Sequence, residues 1–247
     1  AEVLRQSTGH RSPVTPLSDG FRLRFWGVGS KVSVALAGGS AFGLEAGGGV
    51  QAWLAEQGRG FAVGGALIPI VPGAICFDLL NGGNKAWGRF PPYRDLAYAA
   101  ACAASTDFAL GSVGAGLGAT TANFKGGLGS ASAQTGGGVT VGALAVVNAV
   151  GSVTVGDGPW FWAAPFELND EFGGRGLPAS FTPDMLSARL KGGPAVAFSE
   201  NTTLVVVVTD AVLTKSQAKR LAMIAQTGMA RAIYPVHAPT DGDVVYT

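Results

Sequence analysis

Charged residues are scarce in this sequence. Only 13% of the 247 residues are charged, about half the usual share of roughly 25%, and the formal net charge is +1. Because Lys and Arg form no basic cluster that could neutralise phosphates, the composition excludes nucleic acid as an expected partner. Glycine, with 39 residues, replaces much of the missing charge. This composition favours tightly packed layers, or surface that is buried in a homo-oligomer.

Cysteine and histidine are also nearly absent. Cys76 and Cys102 lack the spacing of metal ligands, and their apolar flanks predict buried free thiols and not a disulfide. His10 and His237 are too isolated to indicate a zinc site. We therefore expect no metal and no cofactor. Free thiols, together with an N-terminus that does not resemble a signal peptide, predict a cytoplasmic protein.

Long apolar runs are missing too. Residues 126–156 carry no charge, but Gly, Ser, Thr, Gln134 and Asn148 interrupt them repeatedly. A membrane-spanning helix needs about 20 predominantly apolar residues. The segment therefore predicts buried strands, and we expect no membrane partner.

Strand and helix signals alternate along the chain, which predicts one layered α/β domain over residues 1–247. The first predicted helix, residues 42–57, has three consecutive glycines, which predict close approach of a neighbouring element. Its expected inner face is Leu44, Val50, Trp53 and Leu54. The other predicted elements are a strand at 32–37, a helix at 93–105, strands within 125–155, a strand at 204–208 and a helix capped by Thr214 and Gln217.

Asn201, Thr202 and Thr203 precede the most β-prone run, "LVVVV". They fit a polar turn, a glycosylation sequon, or a self-cleavage site. If the Asn201–Thr202 bond broke, the new α-amine, with a pKa of about 7.7–8.0, would lie beside the Thr202 hydroxyl as its base. Taken alone, the three residues favour the turn.

Two further polar features have both structural and catalytic interpretations. Asp241 and Asp243 flank Gly242, which is typical of a turn, but paired carboxylates also orient a hydroxyl and an ammonium group. Asn148 is the one amide in the apolar run "LAVVNAVGSV". It fits either a satisfied buried hydrogen-bonding group or an oxyanion-hole donor.

Seven segments together resemble a known family. They are "LAGGSAFGLEAGGGV", "IPIVPGAICFDL", "GSVGAGLGAT", "FKGGLGSAS", "LAVVNAVGSV", "NTTLVVVVTDAVLTKSQAKRLA" and "HAPTDGD". In this order they are similar to the self-processing aminopeptidases, a family that contains L-aminopeptidase/D-esterases, β-aminopeptidases and endo-type 6-aminohexanoate-oligomer (nylon) hydrolases. The Asn-Thr junction and the Asp-Gly-Asp motif are most similar to the nylon-oligomer branch.

The resemblance implies an αββα sandwich like that of the N-terminal-nucleophile hydrolases, commonly assembled as a tetramer. It implies cleavage into residues 1–201 and 202–247, which releases Thr202 from Asn201 as the nucleophile. Asp241 and Asp243 match the acidic pair of the family, and Asn148 matches its active-site asparagine. By the same resemblance, Gly39 and Ser40 are expected to line the pocket.

The sequence departs from the family pattern at three places. Asn123 stands where the family usually carries an active-site lysine, Lys125 follows two residues later, and both are expected at the pocket. Phe77, also expected at the pocket, stands where some members have a tyrosine. The resemblance also implies further segments before residue 34 and after residue 247, which this sequence does not contain.

These features together predict an amide hydrolase that acts on short peptides or ω-amino-acid oligomers through a Thr202 acyl-enzyme. Two alternatives stay open at this point. One is an acyltransferase like ornithine acetyltransferase, which also cleaves itself before a threonine. The other is a non-catalytic binding protein that lacks the family lysine at Asn123.

Overall fold

The computed structural model describes residues 33–193, 201–239 and 241–247. Val32, the predicted start of the first strand, and His10 lie outside these ranges. Within them, the helices are α1 (Ala46–Glu56), α2 (Tyr93–Cys102) and α3 (Lys215–Ala232). The strands are β1 (Ala35–Ala37), β2 (Phe61–Val63), β3 (Ala66–Ile68), β4 (Gly73–Ile75), β5 (Gly127–Gln134), β6 (Thr140–Val147), β7 (Leu204–Thr209) and β8 (Val244–Tyr246).

A four-stranded sheet in the order β5-β6-β7-β8 forms the centre of the fold. Strand β6 is antiparallel to both β5 and β7, whereas β8 runs parallel to β7, with Leu204 opposite Val244. The predicted strand at 204–208 is confirmed as β7. Its residues from Leu204 to Val207 are buried, as expected when both faces of a strand are covered.

The two faces of this sheet contact different elements, because successive side chains of a strand point to opposite faces. Val205 and Val207 pack against Met229 of α3. On the other face, Leu204 and Val146 pack against Cys76, which directly follows β4. Strands β1 and β4 pair in parallel as a second, two-stranded sheet on this side.

Helices α1 and α2 cover the outer side of the β1–β4 pair. Ala35 and Ala37 of β1 pack against Ala46 of α1, with Ala97 of α2 beside them. Gly49 makes this packing possible, because a Cβ there would lie 2.0 Å from the carbonyl oxygen of Arg94 in α2. The close approach predicted from the glycines is therefore confirmed, and helices and sheets stack as a layered α/β fold.

The chain before α1 corrects one expectation. Leu44 is 58% exposed, not part of the inner face, because residues 40–45 form a 3₁₀ helix before α1 begins. A 3₁₀ helix repeats every three residues, so its side chains leave the face that an α-helical period assigns to them. Leu54, predicted on the same face, is fully buried.

The later helix follows the sequence closely. The Thr214 hydroxyl accepts the Gln217 N–H at the start of α3, and the Gln217 side chain accepts the Thr214 N–H, so the predicted capping box is confirmed. Both cysteines are free, but only Cys76 is buried and Cys102 is exposed. In the described part of the chain, every helix is too short or too polar to cross a membrane.

Candidate active site

Thr202 lies in a buried extended segment that leads into β7. Asn201, Thr202 and Thr203 are 3%, 6% and 1% exposed, so this is not a solvated turn. The Thr202 N–H donates to the backbone oxygen of Asn148 at 2.8 Å, and the Thr202 hydroxyl donates to the carbonyl oxygen of Asn201. The hydroxyl is thus in contact with the peptide bond that precedes it.

Cys76 contacts Thr202 from the second sheet. Its thiol donates to the Thr202 carbonyl oxygen over 3.6 Å. Burial, and next the negative charge of Asp78, raise the pKa of this thiol to about 12, so it remains a neutral donor. Cys76 therefore holds the backbone of Thr202 without acting as a nucleophile itself.

The Asp-Gly-Asp turn reaches Thr202 because β8 pairs in parallel with β7. The Val244 N–H donates to the Thr203 oxygen at 3.0 Å, and the Thr203 N–H donates to Asp243 Oδ1 at 2.6 Å. A Cβ on Gly242 would lie 3.0 Å from Thr202 Oγ1. The backbone of the turn therefore lies directly against the hydroxyl.

Asp241, at the other end of the turn, has an unusual environment for a carboxyl group. Burial, followed by the negative charge of Asp243, raises its pKa from 3.8 to about 7. A hydrogen bond from the Val150 N–H at 3.4 Å and the positive charge of Lys191 oppose this effect. The charge of the Asp241 carboxyl group therefore changes near neutral pH.

Asn148 directly follows β6 and is 1% exposed. Its side-chain oxygen accepts the Thr120 N–H and the Lys191 ammonium, each at 3.0 Å. Its side-chain nitrogen donates to the Phe77 oxygen at 3.0 Å. Asn148 therefore joins the Thr202 segment through its backbone and the Cys76–Phe77 segment through its amide.

His237 joins the cluster of polar residues around Thr202 through Asp243. From the sequence, this histidine was considered only as a zinc ligand and was given no role. Its Nδ1 lies 2.8 Å from Asp243 Oδ2, and the Asp243 side chain is only 4% exposed. The sequence did carry a signal, since His237 precedes Asp241 by four residues in one short segment. Proximity in a loop could have identified it, even though no metal pattern was present.

Gly39 and Ser40 hydrogen-bond to the segment that follows Cys76 and Phe77. The Gly39 N–H donates to Asp78 Oδ1 at 2.6 Å. The Ser40 hydroxyl accepts the N–H groups of Asp78 and Leu79, both at 3.2 Å. These contacts fix the segment that carries Cys76 and Phe77. Both residues thus support that segment, and neither hydrogen-bonds to Thr202.

Asn123 and Lys125 are exposed, and no hydrogen bond joins them to the cluster. The Asn123 side chain instead donates to the Thr154 hydroxyl at 2.6 Å. Phe77 is 43% exposed, and its backbone oxygen, not its ring, contacts the Asn148 amide. Across residues 33–193, 201–239 and 241–247, no group of three or more His, Cys, Asp or Glu side chains is arranged to hold a metal ion.

Taken together, the contacts link the segment of the Thr202 hydroxyl, directly or through one another, to two carboxylates, a buried amide, an ammonium group and an imidazole. A hydroxyl with nearby groups that can bind a proton is the arrangement of nucleophilic catalysis. A buried amide nitrogen is a suitable donor to an oxyanion. The cluster is thus equipped for acyl transfer.

Known proteins are similar to this sequence over most of its length. The family model described as Peptidase family S58 matches residues 26–247. An "uncharacterized aminopeptidase" of Mycobacterium tuberculosis is 44% identical over 216 residues, which cover 87% of this chain and 60% of that protein. The chain thus spans 60% of the length of this relative and of two similar mycobacterial proteins.

Two further relatives have more specific names. The beta-peptidyl aminopeptidase BapA of Sphingosinicella microcystinivorans is 36% identical over 132 residues, covering 52% of this chain and 31% of that protein. A putative NylC-analogous protein of Agromyces sp. is 28% identical over 221 residues, covering 87% and 68%. These similarities confirm the family resemblance of the sequence motifs, and the chain belongs to peptidase family S58.

Proposed function

We propose that this protein is a self-processing amide hydrolase and that Thr202 is its nucleophile. The observation that carries the proposal is the contact of the buried Thr202 hydroxyl with the Asn201 carbonyl. Attack of Oγ1 on that carbonyl carbon breaks the Asn201–Thr202 peptide bond and forms an ester. Water then hydrolyses the ester, leaving a carboxylate on Asn201 and a free α-amine on Thr202.

The free amine then serves as the base in turnover. It accepts the proton of Oγ1 as this atom attacks a substrate carbonyl, and it returns the proton to the leaving amine. The acyl group stays on Oγ1 until water removes it. The hydrogen bond from Thr202 N to the Asn148 oxygen, 2.8 Å long, supports this role, because the amine keeps an acceptor after cleavage.

Asn148, Asp241 and Asp243 have supporting roles in this proposal. The Asn148 amide nitrogen, with a backbone N–H, stabilises the oxyanion. Asp243 holds the N–H of Thr203, the residue after the nucleophile, and with Asp241 it stabilises the ammonium form of the Thr202 amine. Two carboxylates next to one amine raise its proton affinity, as a base requires.

We further propose short peptides or ω-amino-acid oligomers as substrates. Two relatives support this choice by their names, a beta-peptidyl aminopeptidase and a NylC-analogous protein. The low charge of the chain and the exposed Phe77, whose backbone oxygen contacts Asn148, favour a small, fairly apolar acyl group.

The same proposal extends to architecture and assembly. The stacking of α3, the central sheet, the β1–β4 pair and the α1–α2 layer supports an αββα sandwich. After cleavage at Asn201, residues 1–201 and 202–247 stay together because β7 pairs with β6 along its length. The exposed apolar residues of the β2–β3 hairpin, Phe61, Val63, Leu67 and Ile68, support burial in a homo-oligomer, with a tetramer proposed.

Hydrolysis of short aminoacyl amides and of 6-aminohexanoate oligomers tests the function. Wild-type protein and Thr202→Ser should release amine product, whereas Thr202→Ala should lose at least about a thousandfold in rate, because no hydroxyl remains to form the acyl-enzyme. Transfer of the acyl group to an added amine with negligible hydrolysis would instead identify an acyltransferase. A cleaved wild-type protein without any turnover would overturn the proposal.

A further inference from the structure

Lys191 attaches to the Asn148–Val150 segment at two points. Its backbone N–H donates to the Val150 oxygen at 2.8 Å, and its ammonium group donates to Asn148 Oδ1 at 3.0 Å. The residue is half-buried. Because the backbone of Lys191 is fixed two residues from Asn148, its side chain reaches the amide from a held position rather than from a free surface chain.

The partners of the Asn148 amide leave it only one orientation. The Thr120 N–H and the Lys191 ammonium can only donate, so they face the carbonyl oxygen of the amide. The Phe77 oxygen can only accept, so it faces the amide nitrogen. That nitrogen therefore points toward the Cys76–Phe77 segment, whose thiol contacts the Thr202 carbonyl oxygen.

Lys191 also acts on the acidic side of the cluster. Burial is the largest cause that raises the pKa of Asp241, followed by the charge of Asp243, while Lys191 lowers it. Lys191 likewise opposes the effects of burial and of Asp78 on Cys76. The charged and titratable groups around Asp241 are thus Asp243 on its own turn, Lys191 and Cys76 from other segments, and His237 bound to Asp243.

We propose that Lys191 is a positioning residue of the Thr202 site. Its ammonium group orients and polarises the Asn148 amide, so that Nδ2 donates a hydrogen bond to the oxyanion. The same ammonium group partly offsets the negative charge of the two carboxylates of the Asp-Gly-Asp turn. This inference rests on the proposed function. It assigns a role to a residue 43 positions from Asn148, within a segment for which the sequence patterns predicted none.

Removal of the ammonium group should act on kcat and not on substrate binding. A charge-assisted hydrogen bond contributes enough that its loss corresponds to a fall in kcat of about 10- to 100-fold. KM should stay within about twofold, because Lys191 acts through Asn148 and Asp241. The acid limb of the pH–rate profile should move to higher pH, since the cation that favours the ionised form of Asp241 is gone.

The test compares Lys191→Met, Lys191→Gln and Lys191→Arg with Lys219→Met, which removes an exposed lysine of α3. Steady-state kinetics with a short aminoacyl amide are measured across pH 5–9 on the cleaved form of each protein, and thermal melting checks the fold. The proposal expects the Met and Gln variants to show the kcat loss and the shifted limb. It expects Lys191→Arg to restore part of kcat and the wild-type limb, and Lys219→Met to match wild type.

Three results would overturn the proposal while leaving the amide hydrolase intact. The first is an active wild type with Lys191→Met equal to Lys219→Met. The second is a fall in kcat without a shift of the acid limb and without rescue by arginine. The third is loss of the folded state in both neutral variants, which would show a purely structural role. An inactive wild type would be recognised separately, because it would overturn the proposed function itself and this inference with it.

Discussion

Two segments flank Asn148, one carrying Thr202 and the other carrying Asn123 and Lys125. Both adjoin the buried asparagine, since Thr202 donates to its backbone oxygen and Thr120 donates to its side-chain oxygen. The first segment is buried next to β7 and meets the Asp-Gly-Asp turn. The second becomes exposed only after the buried Thr121, and its Asn123 and Lys125 are both exposed.

This difference shows that the position of a polar residue relative to Thr202 depends on strand pairing, and that a match to a sequence motif alone does not bring a residue to the site. β8 carries Asp243 and its partner His237 to Thr202 because it pairs with β7. The ammonium group comes from Lys191 and not from residue 123 or 125. The Thr202 segment and the Asn123–Lys125 loop should therefore respond very differently to substitution.

Asp243→Asn should have the largest effect among variants that keep the nucleophile. The carboxylate accepts the Thr203 N–H and contacts His237, so loss of its charge weakens two contacts of a buried group. We expect kcat/KM to fall by about 100-fold. The acid limb should also move to lower pH, because the charge of Asp243 raises the pKa of Asp241. An unchanged limb would show that the two carboxyl groups do not interact.

Asp241→Asn should change the pH dependence more than the maximal rate. The pKa of Asp241 is about 7, and that of a free α-amine is about 7.7–8.0. Activity of the wild type should therefore rise with pH along the acid limb as nearly two protons are lost from the enzyme, and activity of the variant as only one is lost. We expect about a tenfold lower kcat above pH 8. Unfolding at several pH values provides an independent measurement.

The sign of the stability effect follows from the raised pKa of Asp241. The folded state binds this proton more tightly than the unfolded chain does. The contribution of the protonated carboxyl group to the free energy of unfolding is therefore complete below about pH 4 and is lost as the pH rises through about 7. Asp241→Asn should remove that decline. A decline of the same size in wild type and variant would contradict the assignment.

Gly242→Ala should have an intermediate effect on activity and little effect on stability. The new methyl group would lie 3.0 Å from Thr202 Oγ1, whereas the turn itself is exposed at this residue. We expect a roughly tenfold lower kcat with a melting temperature close to wild type. Gly136→Ala is the matched control, because nothing lies within 4 Å of a Cβ at Gly136. Equal activities of the two variants would argue against close contact of the turn with the hydroxyl.

Asn123→Ala and Lys125→Ala should have the smallest effects. Lys125 is exposed, and the side-chain amide of Asn123 donates to the Thr154 hydroxyl and not to a residue of the cluster. We expect kcat within about twofold of wild type for both, with a stability loss of about 1 kcal/mol for Asn123→Ala from its hydrogen bond. A large fall in kcat for Lys125→Ala would reverse the comparison between the two segments.

Local sequence signals predicted the elements that depend on local chemistry. The capping box of α3, the apolar run of β7 and the glycine-dependent packing of α1 are all of this kind. Leu44 was misassigned because sequence periodicity does not reveal where a 3₁₀ helix gives way to an α-helix. Lys191 was missed because its contact with Asn148 joins residues far apart in sequence, and no spacing rule connects them.

Intact mass with N-terminal sequencing of wild type and Thr202→Ala tests the central claim most directly. The account predicts that the wild type separates on a denaturing gel into two pieces whose masses sum to that of the chain plus one water. One piece should begin Thr-Thr-Leu-Val, and Thr202→Ala should remain a single chain. A wild type that stays uncut, or the same cut in Thr202→Ala, would contradict self-processing by Thr202.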